Sequence, residues 1–178
     1  MRLSRFRVAA GWAAGALGLC LARPTLGSLA AGVPVALVGE VLRLWASGHL
    51  EKTRSLATGG PYAHTRNPLY LGSVLMALGL AIASSSLATA LVAAAYLAAF
   101  YPAIIREEAE FLRGKFAPDY QAWASEVPAF LPRWSPGGRR SSRFGWDRVR
   151  ANREWRSALT IPLIALLLYA RGRWLPGV

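Results

Sequence analysis

Residues 59–72 read GGPYAHTRNPLYLG, which places two tyrosines, an arginine, a histidine and an asparagine around one helix start. Gly59, Gly60 and Pro61 make a turn, and Pro68 opens a helix at a position where its missing N–H costs nothing. Asn67, immediately before it, is suited to cap that helix. A helix N-terminus beside Arg66 is a ready site for a carboxylate or another anion. The plainer reading of the same residues is a capped loop at a membrane interface, with a tyrosine as its anchor.

A second polar cluster follows an apolar run: Arg106, Glu107, Glu108 and Glu110, then Phe116, Tyr120, Val127, Pro128 and Pro132. Adjacent carboxylates repel, and near a helix C-terminus they also oppose the helix dipole, so they call for a cation from the protein or from a ligand. If the helix simply continues, Glu107 and Glu110 face water. Glu108, a hundred degrees round from Glu107, then points back toward the first cluster. A third feature is Glu40 with Arg43 inside an apolar run. Charges in a spanning segment default to a functional reading, but a one-turn spacing lets these two pair, and a structural pair is the expectation.

The elements that must position these groups are helices in a membrane. The chain has 178 residues, 54% hydrophobic and only 17% charged, with a mean hydropathy of +0.30; soluble domains carry about 25% charged residues. Five apolar runs stand out, at 8–22, 26–47, 69–83, 87–105 and 158–170. About 20 apolar residues cross a roughly 30 Å hydrocarbon core. The second and fourth runs suffice alone, and the others need flanking residues that snorkel or anchor. A cleaved signal peptide has the shape of the first run, yet the second run begins at once and leaves no soluble domain to export. The fifth run is short enough to form an interfacial or re-entrant helix instead.

The net charge of +12 could suggest nucleic acid, but the basic residues sit in the gaps between apolar runs, so no nucleic-acid partner is expected. With the N-terminus in the cytoplasm, seventeen basic residues fall on that side and only Arg23, Arg171 and Arg173 on the other. That asymmetry selects the orientation. Both polar segments, 49–68 and 106–156, then share the cytoplasmic face. The expected architecture is an all-α, polytopic bundle of about five spanning helices: a membrane core at 1–134, a basic flexible linker at 135–151 whose arginines meet anionic headgroups, and a C-terminal helix at 152–178. The Ala, Gly and Arg richness hints at a GC-rich bacterial source and hence an inner membrane. Cys20 lies in an apolar run as a small packing residue and can form no internal disulfide. Oligomeric state is not legible.

The ordered set Gly60, Pro61, Tyr62, Arg66, Asn67, Pro68, Leu69, Tyr70, Leu71, Gly72, then Glu107 and Glu108, then Phe116, Tyr120, Val127, Pro128 and Pro132, resembles the isoprenylcysteine carboxyl methyltransferases and the related phospholipid methyltransferases. Each motif is weak alone; their order is specific, and the resemblance covers about residues 39–132. It implies a membrane methyltransferase that uses S-adenosylmethionine, bound between the two cytoplasmic clusters. By that resemblance Tyr62, Asn67, Pro68 and Tyr70 line the cofactor pocket, Arg66 organises it, and Glu108 with Glu107 engages the cofactor. The stretch Arg54, Ser55, Leu56, Ala57 supplies backbone contacts, and His49 matches loosely a polar contact. Arg66 and Glu108 are the residues the resemblance places at the reaction itself. Two positions depart from the pattern: Asn67 stands where the family has histidine, and Ala117 where it has glycine.

Methyl transfer from a sulfonium is an in-line displacement, so alignment and exclusion of water matter most. A carboxylate acceptor is already ionised and needs no base; an amine or thiol needs one, with His64, His49 or Glu108 as candidates. No base constellation stands out, which favours a carboxylate on a lipophilic small molecule or lipid that enters from the bilayer. Two other readings compete: an NADPH-dependent membrane reductase of the sterol-reductase type, normally a longer chain, and a non-catalytic membrane scaffold.

Overall fold

The computed structural model describes residues 2–51, 55–137 and 142–174, with side chains from Phe6 onward. Among them are seven α-helices, one 3₁₀ turn and no strand: α1 (Arg2–Leu21), α2 (Leu26–His49), the turn Gly60–Ala63, α3 (Pro68–Ser84), α4 (Leu87–Phe116), α5 (Asp119–Glu126), α6 (Trp146–Ala151) and α7 (Trp155–Trp174). The all-α expectation therefore holds. Two helices, Leu26–His49 and Leu87–Phe116, are long and apolar enough to cross a bilayer, and Phe6–Leu21 and Pro68–Ser84 are shorter apolar helices.

Local chemistry sets the helix ends. Before α2, Thr25 and Ser28 exchange hydrogen bonds, the Thr25 N–H to Ser28 Oγ at 2.9 Å and the Ser28 N–H to Thr25 Oγ1 at 3.0 Å. This is a reciprocal cap of the first turn. Between α3 and α4, Ser85 adopts a left-handed conformation with φ of 49°, and Ser86 Oγ accepts the Thr89 N–H at 3.3 Å to start α4.

The chain forms two compact units. The first comprises Met1–Val38, Val74–Ala103 and Leu159–Val178. In it α2 and α3 touch backbone to backbone: a Cβ on Gly32 would lie 2.3 Å from the Gly79 carbonyl oxygen, and one on Gly79 would lie 2.3 Å from the Ala36 nitrogen. Small residues at such a contact are how helices associate where the hydrophobic effect gives no drive. The Arg171 guanidinium donates to the Ala22 and Cys20 carbonyls, each at 2.7 Å, and so covers the open C-terminal end of α1. Ala22, Ala83 and Leu168 form the buried core of this unit, while Trp12, Leu87 and Leu91 face outward, as apolar surface does toward lipid.

The second unit comprises Gly39–Ser73 and Ile104–Ala158. Its core is Ala46, Ala57, Tyr62, Tyr120, Trp123 and Val127, with Leu50, Leu56, Leu69 and Phe116 packed against it. Helix α4 continues past its apolar run to Phe116, with Arg113 and Lys115 in the last turn. Those cations complement the dipole, and Glu107 and Glu108 stand well inside the helix rather than at its end. Within the stretch 135–151, read above as a linker, the structure builds α6 with a buried Val149; residues 138–141 lie outside the described residues.

Candidate cofactor site

The second unit contains both polar segments, and the chain joins them residue by residue. The Arg66 N–H donates to the Pro128 carbonyl at 2.9 Å, the Arg133 N–H to the His64 carbonyl at 3.0 Å, and the Gly137 N–H to the Ala63 carbonyl at 2.8 Å. Side chains add to this seam. Thr65 Oγ1 donates to the Phe130 carbonyl at 2.9 Å and Asn67 Nδ2 to the Ala129 carbonyl at 2.7 Å. His64 Nδ1 lies 2.8 Å from the Arg133 carbonyl; a carbonyl can only accept, so this nitrogen carries the proton. The Trp123 indole N–H donates to the Tyr62 carbonyl at 3.1 Å. Loops are held by such bonds because buried backbone polar groups must find partners.

The other polar residues of the two segments follow. The Tyr70 hydroxyl, in the first turn of α3, donates to Glu108 Oε2 at 2.8 Å, so Glu108 does turn toward the first cluster. Glu107 is exposed and makes no hydrogen bond or ion pair among the described residues. Tyr62 is buried in the 3₁₀ turn. Burial pushes its phenol well above the ordinary tyrosine range, and the charges of Glu108 and Glu154 push it further. It is a neutral hydrogen-bond donor at any working pH. The guanidinium of Arg66 makes no hydrogen bond among the described residues, and its Nε is buried without a partner. A buried donor left without a partner is costly.

The structure places the remaining candidate residues as follows. Asn67 precedes Pro68 as the cap position requires, its carbonyl accepting the Leu71 N–H at 3.0 Å, but its side-chain amide is turned to Ala129. Pro68 is buried. Ala57 belongs to the core and Leu56 packs against it. His49 is buried, with Nδ1 donating to the Trp45 carbonyl at 3.0 Å and its ring edge-on to Phe144. Its ring also fills the space at Gly60, where a Cβ would lie 2.5 Å from the imidazole and where φ is +56°; both facts require glycine. Arg54 lies outside the described residues.

Sequence reasoning missed what the C-terminal stretch contributes. Asn152 Nδ2 donates to the Ser47 carbonyl at 3.0 Å and the Leu50 carbonyl at 2.9 Å, closing the end of α2. Glu154 takes Arg43 Nη2 in a two-pronged ion pair at 3.0 and 2.8 Å, while Arg43 Nη1 donates to the Leu69 carbonyl at 3.3 Å and to Ser73 Oγ. Arg43 is therefore not spent on Glu40, as the one-turn spacing suggested. Glu40 Oε2 instead accepts from the Ser157 hydroxyl at 2.8 Å. An acidic residue amid arginines, Glu154, was the only signal in the sequence.

A family model described as phospholipid methyltransferase matches residues 28–119. The cobalt-zinc-cadmium resistance protein CzcN of Cupriavidus metallidurans is 43% identical over 113 residues, which are 62% of this chain and 50% of that protein. The nickel-cobalt-cadmium resistance protein NccN of Alcaligenes xylosoxydans xylosoxydans is 34% identical over 158 residues, 85% of this chain and 71% of that protein. The match thus spans about half the length of the first of these relatives. No solved structure matches the chain.

Proposed function

The chain belongs to the phospholipid methyltransferase family, and on that premise we propose that it transfers a methyl group from S-adenosylmethionine to a lipophilic, membrane-associated acceptor by in-line displacement. In this reading α1, α2, α3, α4 and α7 cross the bilayer, a bacterial inner membrane, with the N-terminus and the cofactor site cytoplasmic. The bias of basic residues toward the segments next to α2, α3 and α4 supports that orientation.

The observation that carries the reading is the Tyr70–Glu108 hydrogen bond at 2.8 Å, together with the seam that joins residues 63–67 to 128–137. A cofactor site assembled from both polar segments needs them within hydrogen-bond reach. The residues suit a zwitterionic cofactor. Arg66, with its orphaned Nε, offers a carboxylate a partner, and Glu108, steadied by Tyr70, faces a cation or hydroxyls with Glu107 beside it. Tyr62 and Asn67 donate hydrogen bonds, while His49, Leu56, Ala57 and Pro68 shape the wall. S-adenosylmethionine supplies a methyl group already activated on a sulfonium. The chain's own part is to align the acceptor and to exclude water. The acceptor is a carboxylate if no base stands near it, and a protic group if one does.

Membranes holding the chain, given methyl-labelled S-adenosylmethionine, should pass label into the organic-extractable fraction above the level of membranes without it. The Glu108→Gln variant should not. Equal label in all three would sink the reading. The relatives' names support a physiological setting, that the transfer serves resistance to cobalt, nickel, zinc or cadmium. Expression in a cadmium-sensitive host should then raise the tolerated concentration, and the Glu108→Gln variant should leave it unchanged.

A further inference from the structure

Two buried side-chain atoms of opposite hydrogen-bonding character, on residues one helical turn apart in α2, have no partner among the described residues. Glu40 is 4% exposed; its Oε2 accepts from Ser157, but its Oε1 has no partner among the described residues. Arg43 spends Nη2 on Glu154 and Nη1 on Leu69 and Ser73, and its Nε is likewise buried and unpartnered. A buried donor or acceptor left without a partner is destabilising, and more so where the group is charged. The two were expected to satisfy each other. Glu154, reaching Arg43 from the C-terminal stretch, prevents it and leaves two carboxylates facing one guanidinium.

Residues three apart on a helix are neighbours on one face, so a single group that both donates and accepts can satisfy the two orphans at once. A hydroxyl does this and a thiol does it more weakly, whereas an alkyl amine, protonated near neutral pH, only donates and a carboxylate only accepts. A carboxylate would also meet Glu40 and Glu154, and like charges at close range are unfavourable. Resting on the methyl-transfer reading, we propose that Glu40 and Arg43 hold the head of the acceptor, that this head is a hydroxyl or a thiol, and that Glu40 Oε1 is the base. The acceptor's S–H or O–H proton passes to Glu40 Oε1 as its new bond to carbon forms and the donor's sulfur–carbon bond breaks. The proton then leaves to water. A thiol, with a reference pKa near 8.5, is the easier of the two. The carboxylate acceptor favoured on sequence alone rested on the absence of a base, and Glu40 supplies one.

The test uses the detergent-purified full chain with dodecanethiol, dodecanol and dodecanoate as probes. Dodecanethiol or dodecanol should perturb a carboxyl band in the infrared difference spectrum that Glu40→Gln lacks, and dodecanoate should leave it unmoved. With methyl-labelled S-adenosylmethionine the label should enter the thiol or the alcohol. Glu40→Gln should lower kcat by about 100-fold or more, the scale of a lost general base, with S-adenosylhomocysteine affinity within about twofold. Glu40→Asp, which keeps a carboxylate, should recover part of the rate. A band unmoved by any probe, label in dodecanoate alone or in no protic probe, a normal rate in Glu40→Gln, or a lost rate that tracks lost cofactor affinity would each overturn the proposal. Failure of the unaltered protein to bind S-adenosylhomocysteine would instead overturn the methyl-transfer reading beneath it.

Discussion

Tyr70 and Glu108, thirty-eight residues apart, are joined by a 2.8 Å hydrogen bond from the phenol to the carboxylate. It fixes the rotamer of the acidic residue on α4 from the first turn of α3. Tyr70→Phe removes that hold without changing the ring. A hydrogen bond to a charged group contributes about 1.5–3 kcal/mol, so affinity for S-adenosylhomocysteine should fall by about tenfold or more. Glu108→Gln should weaken it further, and both variants should elute as folded protein in detergent. Unchanged affinity in both would remove Glu108 from the site.

The Tyr62 phenol is held well above its ordinary range by burial and then by Glu108. The folded state therefore keeps a proton that the unfolded chain gives up near pH 10. The stabilisation is fully present below that pH and is lost as pH climbs from there toward the folded value. In alkaline titrations followed by tyrosinate absorbance, the difference between the parent and Tyr62→Phe should show no step near pH 10. The parent's melting temperature should drop above that pH more steeply than the variant's.

Asn67 stands where the sequence resemblance leads one to expect histidine, and its amide donates to the Ala129 carbonyl at 2.7 Å. An imidazole N–H can make the same bond. Asn67→His should keep both fold and cofactor affinity within about threefold, whereas Asn67→Ala, lacking a donor, should lose about 1 kcal/mol of stability. Thermal melts in detergent read both.

The Arg43–Glu154 pair is largely buried, at 20% and 12% side-chain exposure. Removing one partner of such a pair leaves an uncompensated charge and costs about 3–5 kcal/mol. Glu154→Ala should therefore lower the melting temperature markedly. The double variant Arg43→Met, Glu154→Leu should be less damaged than the sum of its singles, a coupling that a double-mutant cycle measures.

The helices and the turn that leads into α3 were legible because their signals are local. Pro68 after Asn67 marks the start of α3, and the apolar runs at 26–47 and 87–105 mark α2 and α4. Glu108 could be aimed at the first cluster because a helix continuing past residue 105 rotates it there. The seam was hidden, because its partners are carbonyls such as those of Pro128 and Ala129, which carry no side-chain signature. The fate of Glu40 and Arg43 was hidden for another reason. Their spacing predicts a mutual pair, and the competing partners Glu154 and Ser157 stand 111 and 117 residues away, where no periodicity reaches. Phe116, Tyr120 and Val127, singled out as motif residues, prove to be core that packs beneath Tyr62.

The most direct test of the central claim is calorimetric titration of the detergent-purified protein with S-adenosylhomocysteine, with NADPH as the parallel ligand. Saturable binding of S-adenosylhomocysteine alone, weakened in Glu108→Gln and Tyr62→Ala, is the predicted result. Binding of NADPH alone, or of neither ligand, would contradict it.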